Sequence, residues 1–448
     1  METGGVESAD LDLDDVDLDE LDLCDLDRFT AGFPHEVFSF LRREAPVWYH
    51  PPRSDVPGDD GFWVLSRYRD VAAAASDPGT FSSHTGGDRH GGGTLIEDLP
   101  EGFAGVLLNM TDGRAHQQFR SLLTPALSPR ALAALEEDLR GRARRIVAAA
   151  VGRGRIDLLT EVAAELPLQA AAGLLGVPQE DRGLLLEWAD ATLDHRDEPS
   201  NGPDAVADAS ARLFAYGDEL IERRRREPGD DLISIAVHGT VEDLDGSPAA
   251  DGSLPRRRLR SDELQLLFTL LAAAGTETTR NTIAVGLAAL AERPADWAAL
   301  REDRSLLPAA VEEMLRWASS TPYNRRTATR DVELGGQQVR AGDRVTLWWA
   351  SANRDEEEFA DPFRFDLRRT PNRHLAFGHG SHFCLGARLA RLEIRLLLEE
   401  LLDADVTVEV DGPIEWTRSN KHTGVRHLPA TLRARRRASR RGVDDRTA

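Results

Sequence analysis

The chain has 448 residues, of which 41% are hydrophobic and 29% charged, and its formal net charge at pH 7 is −22. These values are typical of a soluble globular protein with a sizeable core, and the acidic balance disfavours nucleic acid and anionic membranes as partners. No apolar run is long enough to cross a bilayer, and a disulfide framework cannot be built because Cys24 and Cys384 are the only cysteines.

The two ends of the chain differ in charge. The first residues carry acids in place of a basic segment and an apolar core, so we expect no secretion signal and a cytoplasmic protein. Residues 10–27 hold many acids and no base, whereas residues 433–441 are rich in arginine. We therefore predict a flexible acidic extension over 1–28, a folded domain over 29–432 and a basic tail over 433–448.

The hydrophobic pattern predicts a mainly α fold with a minor β region. Residues 38–43 form a short helical pattern, and residues 47–50 and 61–65 read as two strands of a hairpin. From about residue 131 onward the apolar spacing is mostly helical. Segments rich in glycine, serine or proline predict surface loops over 81–107, 195–203 and 238–260.

One predicted helix, residues 270–281, changes from apolar to small and then to polar. Ala274 and Gly275 would let a flat ring approach the backbone, and Gly275 would weaken the helix so that a water molecule can insert. Glu277 and Thr278 then offer an acid and a hydroxyl for moving protons. Taken alone, this segment is explained equally well by threonines that bond back to the preceding turn.

Residues 377–388 place one cysteine among glycines directly before an amphipathic run. Cys384 should lie just ahead of a helix N-terminus, where peptide dipoles and free N–H groups stabilise a thiolate. Gly378 and Gly386 would let the backbone lie against a flat cofactor, and Phe377 would shield the sulfur from water. A lone thiolate held in this way suits an iron.

The segment from Phe377 to Gly386 resembles the haem-thiolate loop of the cytochrome P450 family, Phe-Gly-x-Gly-x-His-x-Cys-x-Gly, and the helix is similar to the family's Ala-Gly-x-Glu/Asp-Thr segment. The resemblance covers roughly residues 33–432 with the motifs in family order. It implies the cytochrome P450 fold, haem b with Cys384 as the axial iron ligand, and a monooxygenase. Electrons would come from a separate ferredoxin and ferredoxin reductase.

The resemblance also implies roles for several other residues. Thr278 would hold a water and Glu277 would connect it to bulk protons. The haem propionates would be bound by His116, Arg120, Arg326 and His382, with two departures from the family pattern. Asp112-Gly113-Arg114-Ala115 replaces Asp-Pro-Pro-x, and Arg325 precedes Arg326, so either arginine can be the propionate ligand. In isolation, a surface helix pair explains His116 and Arg120 equally well.

Three further groups of residues complete the predicted site. By resemblance, Glu313 and Arg316 form a structural ion network with Arg364. The predicted substrate pocket contains Leu270, Ala273, Pro322, Asn324 and Lys421. The arginines at positions 114, 388, 391 and 395 form a basic cluster on an acidic protein, and we predict that an acidic ferredoxin docks there.

The predicted activity is insertion of one oxygen atom into a medium or large organic small molecule by hydroxylation, epoxidation or oxidative coupling, in natural-product biosynthesis. We expect a monomer that binds neither nucleic acid nor a membrane. A peroxide-driven haem-thiolate enzyme is one alternative, which the intact Glu277-Thr278 pair disfavours. A non-catalytic haem sensor is another, which the short segment after the Cys384 helix disfavours.

Overall fold

A computed structural model describes residues 17–53, 60–84, 93–96, 105–185, 187 and 203–434. Helices predominate in this part of the chain, as the sequence predicts. Its α-helices are α1 His35–Glu44, α2 Tyr68–Ser76, α3 Gly113–Leu123, α4 Pro129–Arg153, α5 Glu165–Leu175, α6 Pro203–Arg226, α7 Leu232–His238, α8 Ser261–Ala291, α9 Pro294–Glu302, α10 Leu307–Ala318, α11 Trp349–Ala352 and α12 Ala387–Asp403. Within the same residues, no helix combines the length and apolar character needed to cross a bilayer.

The strands form small sheets. They are β1 Val47–His50, β2 Phe62–Leu65, β3 Phe81–Ser82, β4 Arg155–Asp157, β5 Thr240–Glu242, β6 Arg256–Arg258, β7 Asn324–Ala328, β8 Val332–Leu334, β9 Gln337–Val339, β10 Arg344–Leu347, β11 Val406–Val410, β12 Glu415–Trp416, β13 Val425–His427 and β14 Pro429–Ala434. The largest sheet has the order β1-β2-β10-β7-β3, and a second has the order β11-β14-β4. The prediction of a mainly α fold with a minor β region is confirmed.

Two local predictions near the start of the fold are also confirmed. Helix α1 covers the predicted helical pattern, and β1 and β2 form the predicted antiparallel hairpin, with Val47 opposite Leu65 and His50 opposite Phe62. Both strands are runs of large, mainly aromatic and β-branched residues, which favour strands because such side chains pack well on a pleated surface. Strand β10 then adds to β2 in parallel.

The long helix α8 lies at the centre of the molecule. Most of its side chains are buried, which matches a sequence that is apolar around much of the helix. Its second half shares one hydrophobic core with α4, α10 and α12. Ion pairs also fasten α12 to α4, joining Arg140 to Glu399 at 2.6 Å and Arg395 to Glu136 at 2.9 Å. The helix that follows Cys384 is therefore held on both its apolar and its polar faces.

The predicted boundary of the folded domain at residue 29 needs correction. Leu21 and Leu23 are 4% and 0% exposed and pack in a core with Phe38 and Trp348. The described part of the acidic extension is therefore packed against the domain, because its leucines supply apolar surface that the charge pattern conceals. Residues 1–16 lie outside the described residues. At the other end, β14 continues to Ala434.

The three predicted loops have different outcomes. Most of the first, residues 85–92 and 97–104, and residues 195–202 of the second lie outside the described residues. Residues 238–260 contain an antiparallel hairpin of β5 and β6. Glu242 of this hairpin accepts two hydrogen bonds from Arg114 of α3, at 2.7 and 2.9 Å. This segment is thus tied to the helix that carries His116 and Arg120.

The ion network around Glu313 forms, but with a different third member. Glu313 and Arg316 are both fully buried and share two hydrogen bonds of 2.7 and 2.8 Å. The predicted partner Arg364 is exposed, and its carbonyl oxygen accepts from Arg316 and Arg369. The Arg369 guanidinium contacts Glu313 instead, at 3.2 Å. The chain turns at Asp361, which has a φ of 47°, so a residue later in the segment reaches the carboxylate.

We expect Arg369→Ala to lower the free energy of unfolding by about 3 kcal/mol, because it removes one cation from a buried carboxylate. Arg364→Ala is the matched control and should change it by less than about 0.5 kcal/mol. Urea unfolding followed by circular dichroism measures both. Equal losses in the two variants would contradict this arrangement.

Candidate active site

A cavity lies between α8, strand β7 and the loop that carries Cys384. Eleven residues predicted for the cofactor, the catalytic pair or the substrate pocket line it: Leu270, Ala274, Gly275, Thr278, Asn324, Arg326, Phe377, Gly378, His382, Cys384 and Gly386. The chain thus brings together segments that are far apart in sequence. This convergence is the central observation about the site.

The backbone of the loop fixes the position of Cys384. The Cys384 N–H donates to the Phe377 carbonyl at 2.8 Å, and Gly378 and Gly380 have positive φ angles of 70° and 72°. A Cβ added at Gly380 would lie 2.3 Å from the Ala75 carbonyl oxygen, so only glycine fits there. The loop is therefore shaped by its glycines, as predicted.

The thiol of Cys384 is accessible within the cavity and surrounded by protein elsewhere. Burial raises its pKa, against the opposing effects of the Gly386 N–H and the positive charge of Arg120. The predicted stabilisation of a thiolate by the start of the helix is present, but burial outweighs it. A metal cation reverses this balance, because a coordinating thiol loses its proton.

Phe377 lies between the loop and α12. The Arg391 guanidinium carbon is 4.6 Å from the centre of its ring, a cation–π contact. Arg391 also donates two hydrogen bonds to Glu312, at 2.6 and 2.7 Å. These contacts connect the loop to α10, the helix of the Glu313 network.

Strand β7 decides which of its two adjacent arginines faces the cavity. Side chains alternate along a strand, and Asn324 and Arg326 line the cavity. Arg325 instead donates to the Ile96 carbonyl at 3.2 Å. Burial lowers the pKa of Arg326 to about 10, still far above neutrality. Arg326 is therefore the cation available to a carboxylate in the cavity.

The rings of His116 and His382 are in contact at the edge of the cavity, with centres 4.1 Å apart and planes tilted by 35°. Burial, followed by the charges of His382 and Arg120, lowers the pKa of His116 to about 4. His382 Nε2 donates to Asp112 at 3.0 Å, which leaves only Nδ1 for a second hydrogen bond. The predicted propionate contact of His382 is therefore limited to Nδ1. Burial also lowers the pKa of Arg120, which the nearby Cys384 partly offsets.

Asp112 has a role that sequence reasoning missed, since it was noted only as a departure from the family pattern. It accepts hydrogen bonds from the Ser82 hydroxyl at 2.5 Å and the Ser83 N–H at 2.9 Å, in addition to His382. Burial would raise its pKa, but these hydrogen bonds hold it down at about 2. Asp112 therefore joins the end of β3 to the Cys384 loop.

Helix α8 is continuous through Gly275, in contrast to the expected opening. The Thr278 hydroxyl donates to the Ala274 carbonyl at 3.2 Å, as the alternative interpretation predicted. A Cβ added at Gly275 would meet the Ala171 Cβ at 3.4 Å, so this glycine serves the close approach of α5. Thr278 nevertheless lines the cavity.

Glu277 is buried and does not line the cavity. Its carboxylate lies 3.8 Å from Arg280 and 3.7 Å from His422, at ion-pair distance from both. Sequence reasoning did not connect His422 with Glu277, since nothing in the local sequence of either residue marks this contact. Glu277 is therefore adjacent to Thr278 in the chain but occupies a separate buried polar group.

Three predicted pocket residues do not line the described cavity: Ala273, Pro322 and Lys421. Residues 270, 274 and 278 of α8 form an i, i+4 stripe toward the cavity, and Ala273 falls off this stripe. Pro322 is buried, and the neighbouring Thr321 lines the cavity instead. The resemblance also implies that residues 86–107 and 184–193 contribute to the substrate wall, and most of them lie outside the described residues.

Glu393 is a second residue that sequence reasoning missed. It lies on α12, lines the cavity and is 1% exposed, and burial raises its pKa to about 8. The available signal was an acid at helical spacing from Leu389 and Ala390 on an amphipathic helix. This carboxyl group is neutral in the folded protein near neutral pH.

We predict that the free energy of unfolding of Glu393→Gln, relative to that of the parent, increases as the pH rises. The folded-state pKa is raised from 4.5 to about 8, so the parent loses stability across this interval, whereas glutamine does not titrate. The stability difference between variant and parent should grow by about 3 kcal/mol from pH 5 to pH 8. Urea unfolding at several pH values measures it, with Glu415→Gln on an exposed residue as control. A difference that stays flat with pH would contradict the prediction.

The donor set fits haem. Among the described residues, the only group of three or more closely spaced metal-ligating side chains is Asp22, Cys24 and His50, which does not include Cys384. A single thiol without neighbouring ligands suits an iron that brings its other ligands with it. Arg326, Arg120 and His116 lie at or near the same cavity and suit the two carboxylates of the cofactor.

The fold and this site define a haem-thiolate protein. The Cytochrome P450 family model matches residues 203–404. The putative cytochrome P450 126 of Mycobacterium tuberculosis (strain H37Rv) is 47% identical over 409 residues, covering 91% of this chain and 96% of that protein. The steroid C26-monooxygenase of the same strain is 36% identical, covering 89% of each. This chain belongs to the cytochrome P450 family and is a monooxygenase of the oxidoreductase class.

A solved structure gives the same result. The cytochrome P450 OxyD, which is involved in the biosynthesis of vancomycin-type antibiotics, superimposes with a TM-score of 0.79 at 30% identity. The match covers 93% of this chain and 100% of that one. The resemblance inferred from the motifs is confirmed.

Proposed function

We propose that this chain is a cytoplasmic, ferredoxin-dependent monooxygenase with haem b, and that it oxidises a medium or large natural product. The observation that carries the proposal is the single cavity that holds Cys384, Arg326 and Thr278. Bound haem supplies the iron and the redox chemistry with O2. Cys384 would ligate the iron, while Arg326, Arg120 and the Nδ1 of His382 bind the propionates.

The threonine and the acid of α8 divide the handling of protons. Because the Thr278 hydroxyl donates to Ala274, its oxygen is left to accept a hydrogen bond from a water in the cavity. Glu277 is one residue away and buried beside Arg280 and His422. We infer that Glu277 supplies protons to the water that Thr278 orients, since a carboxyl can both hold and release a proton.

The lining of the cavity supports an oxygen-bearing substrate. The wall of the described cavity is mostly apolar, with hydroxyl and amide side chains placed within it: Thr94, Asn109, Ser320, Thr321 and Asn324. A mostly apolar cavity with a few polar groups suits a ligand whose oxygen atoms can meet those groups. Among the similar proteins above, one name includes a steroid and one title an antibiotic pathway. The polar positions favour an oxygenated natural product over a simple hydrocarbon chain.

A binding screen tests the substrate class. The chain with haem is mixed with matched pairs of compounds, namely oxygenated polyketides, peptides and terpenoids and their less oxygenated analogues, and the spin-state change is recorded. Oxygenated members should bind at least about tenfold more tightly, because each unsatisfied buried polar group costs about 1 kcal/mol or more. Preference for fatty acids or deoxygenated analogues would overturn this assignment.

Turnover of the best ligand tests the reaction. With NAD(P)H, a surrogate ferredoxin, its reductase and 18O2, one labelled oxygen atom should appear in a hydroxylated or epoxidised product, whereas oxidative coupling adds none. Product formation with hydrogen peroxide alone, at a rate equal to the reconstituted system, would favour the peroxide-driven alternative. Binding without any product would favour the sensor.

We infer that the proposed docking surface for ferredoxin involves fewer arginines than the sequence predicts. Arg391 pairs with Glu312, Arg395 with Glu136, and Arg114 with Glu242. These pairs neutralise three of the four predicted arginines, because helix contacts place carboxylates beside them. Arg388 is exposed, and the nearby Phe383 is 38% exposed. We infer that docking depends mainly on Arg388 and Phe383.

Arg388→Glu should slow electron transfer from an acidic ferredoxin about fivefold at low ionic strength, since reversing a charge at the rim acts mainly on encounter. The difference should shrink as salt is added. Stopped-flow reduction measures the rate, and Arg155→Glu, on the separate strand β4, is the control. An electron-transfer rate that changes neither with Arg388→Glu nor with the salt concentration would contradict docking at this surface.

A further inference from the structure

The carboxylate of Glu277 lies between an arginine and a histidine side chain. Arg280 Nη2 lies 3.8 Å from Oε1, and His422 Nδ1 lies 3.7 Å from Oε2, so each oxygen has its own partner. The side chains of Glu277 and Arg280 are 3% and 10% exposed, whereas that of His422 is 15% exposed. His422 is thus the member of this group that is most accessible to solvent.

The loop that carries His422 is fixed on both sides. It joins β12 to β13, and Asn420 donates to the Leu23 carbonyl at 3.1 Å. The Thr423 N–H donates to the Ser320 carbonyl at 2.9 Å. Gly424 approaches α8 so closely that an added Cβ would lie 2.4 Å from Asn281 Nδ2. Since Asn281 follows Glu277 by one helical turn, the fold itself determines the place of the imidazole beside the carboxylate.

The two partners differ in what they can do. Arginine keeps its proton in proteins, so Arg280 can hold the carboxylate but cannot give it a proton. Histidine exchanges a proton near neutral pH and has two nitrogens, so it can take up a proton at Nε2 and then release the one on Nδ1. In the described residues, the charged groups close to His422 include Glu277, which is 3.7 Å away on α8, Arg280 beside Glu277, and Lys421, which precedes His422 in the chain.

We propose that His422 is the solvent-side relay of the proton path and acts through Glu277. His422, neutral with its hydrogen on Nδ1, takes up a proton from solvent at Nε2, the imidazolium releases the Nδ1 proton to Glu277 Oε2, and Glu277 passes its proton to the water held by Thr278. Exchange with solvent or a ring flip then returns the hydrogen of His422 from Nε2 to Nδ1 for the next cycle. Only protons are transferred in this path, and no residue is oxidised or reduced. This inference rests on the proposed function and adds the group that connects Glu277 to the solvent.

A first experiment examines the pair without turnover. The protein with haem is prepared in its diamagnetic ferrous–CO form, and the titration of His422 is followed by NMR with labelled histidine, with His422→Gln used to assign the signal. In Glu277→Gln the pKa of His422 should fall by about one pH unit, because an adjacent negative charge is lost. An unchanged titration would overturn the proposal.

A second experiment measures coupled turnover with the best ligand of the spin-state screen. His422→Gln should lower the rate of coupled turnover about tenfold and raise its solvent isotope effect. In the parent, the turnover rate should fall as the pH rises and the His422 imidazole loses its proton, and this fall should be absent in His422→Gln. The matched control is His427→Gln, which removes an exposed imidazole paired with Asp157 at 2.8 Å. It should retain the parent rate and pH profile.

The outcomes separate the two levels of the argument. Parent-like turnover and pH dependence in His422→Gln, together with slow turnover in Glu277→Gln, would overturn the relay and leave the proposed function intact. Parent-like turnover in both variants would overturn the relay and the role of Glu277 together. A slow rate in His422→Gln with an unaltered pH profile and isotope effect would show a structural role, and would likewise overturn the relay.

Discussion

Cys384→Ser should abolish the red-shifted ferrous–CO absorption band of the protein reconstituted with haem. Cys384 is the sulfur in the cavity, and the Gly386 N–H and the charge of Arg120 favour its ionised form. Serine can fill the same position, but its hydroxyl is a far weaker iron ligand than a thiolate. The fold should persist, because the loop is held by its glycines and by the Cys384 N–H bond to the Phe377 carbonyl, which serine retains.

Cys24→Ser is the control for this experiment. Cys24 is partly buried near the N-terminal core and does not line the cavity, so its variant should keep the full band. Haem content is measured in parallel to separate loss of the ligand from loss of the cofactor. A red-shifted ferrous–CO band in Cys384→Ser equal to that of the parent would contradict the assignment of Cys384 as the axial ligand.

The parts of the fold that the sequence predicted are those encoded by local pattern. The hairpin of β1 and β2 follows from two short runs of large, mainly aromatic and β-branched residues, and the Cys384 loop follows from glycines whose positive φ angles only that residue adopts easily. Both signals lie within a few consecutive residues. Both features can therefore be predicted without knowing which residues pack against them.

The errors arose where contacts between distant segments decide the outcome. Arg364 and Arg369 are separated by one turn of irregular chain, and only the path of that turn places Arg369 on Glu313. Likewise, the charge pattern of residues 17–28 conceals two leucines that are buried by Phe38 and Trp348. The composition of a segment gives its charge, but it does not indicate which part of the folded domain the segment packs against.

Prediction from sequence is limited in the same way for helix α8, which carries Thr278 at the cavity. The pattern from Ala274 to Thr278 correctly placed small residues and a hydroxyl at the cavity. It did not indicate that Gly275 accommodates α5 or that Glu277 shares its pocket with His422, because both partners come from elsewhere in the chain. The sequence motif therefore predicts which residues lie at the cavity, and tertiary packing determines which groups surround them.

Thr278→Ala should keep haem and substrate binding but divert several-fold more reducing equivalents to hydrogen peroxide. The Thr278 hydroxyl lines the cavity and, with its proton donated to Ala274, offers an acceptor to a water. Its loss removes one hydrogen bond, worth about 1 kcal/mol or more. Since about 1.4 kcal/mol is tenfold in rate, the partition between product and peroxide should change several-fold.

Product formed per NAD(P)H consumed, with peroxide assayed in parallel, measures the effect. Thr278→Ser is the matched control and should restore most of the coupling, because it returns a hydroxyl that can donate to the same carbonyl. Glu277→Gln should instead slow turnover, since it removes the proton carrier and leaves the hydroxyl in place. Full coupling in Thr278→Ala would show that Thr278 only stabilises α8 through Ala274, and that a hydroxyl of the substrate or an ordered water delivers the protons.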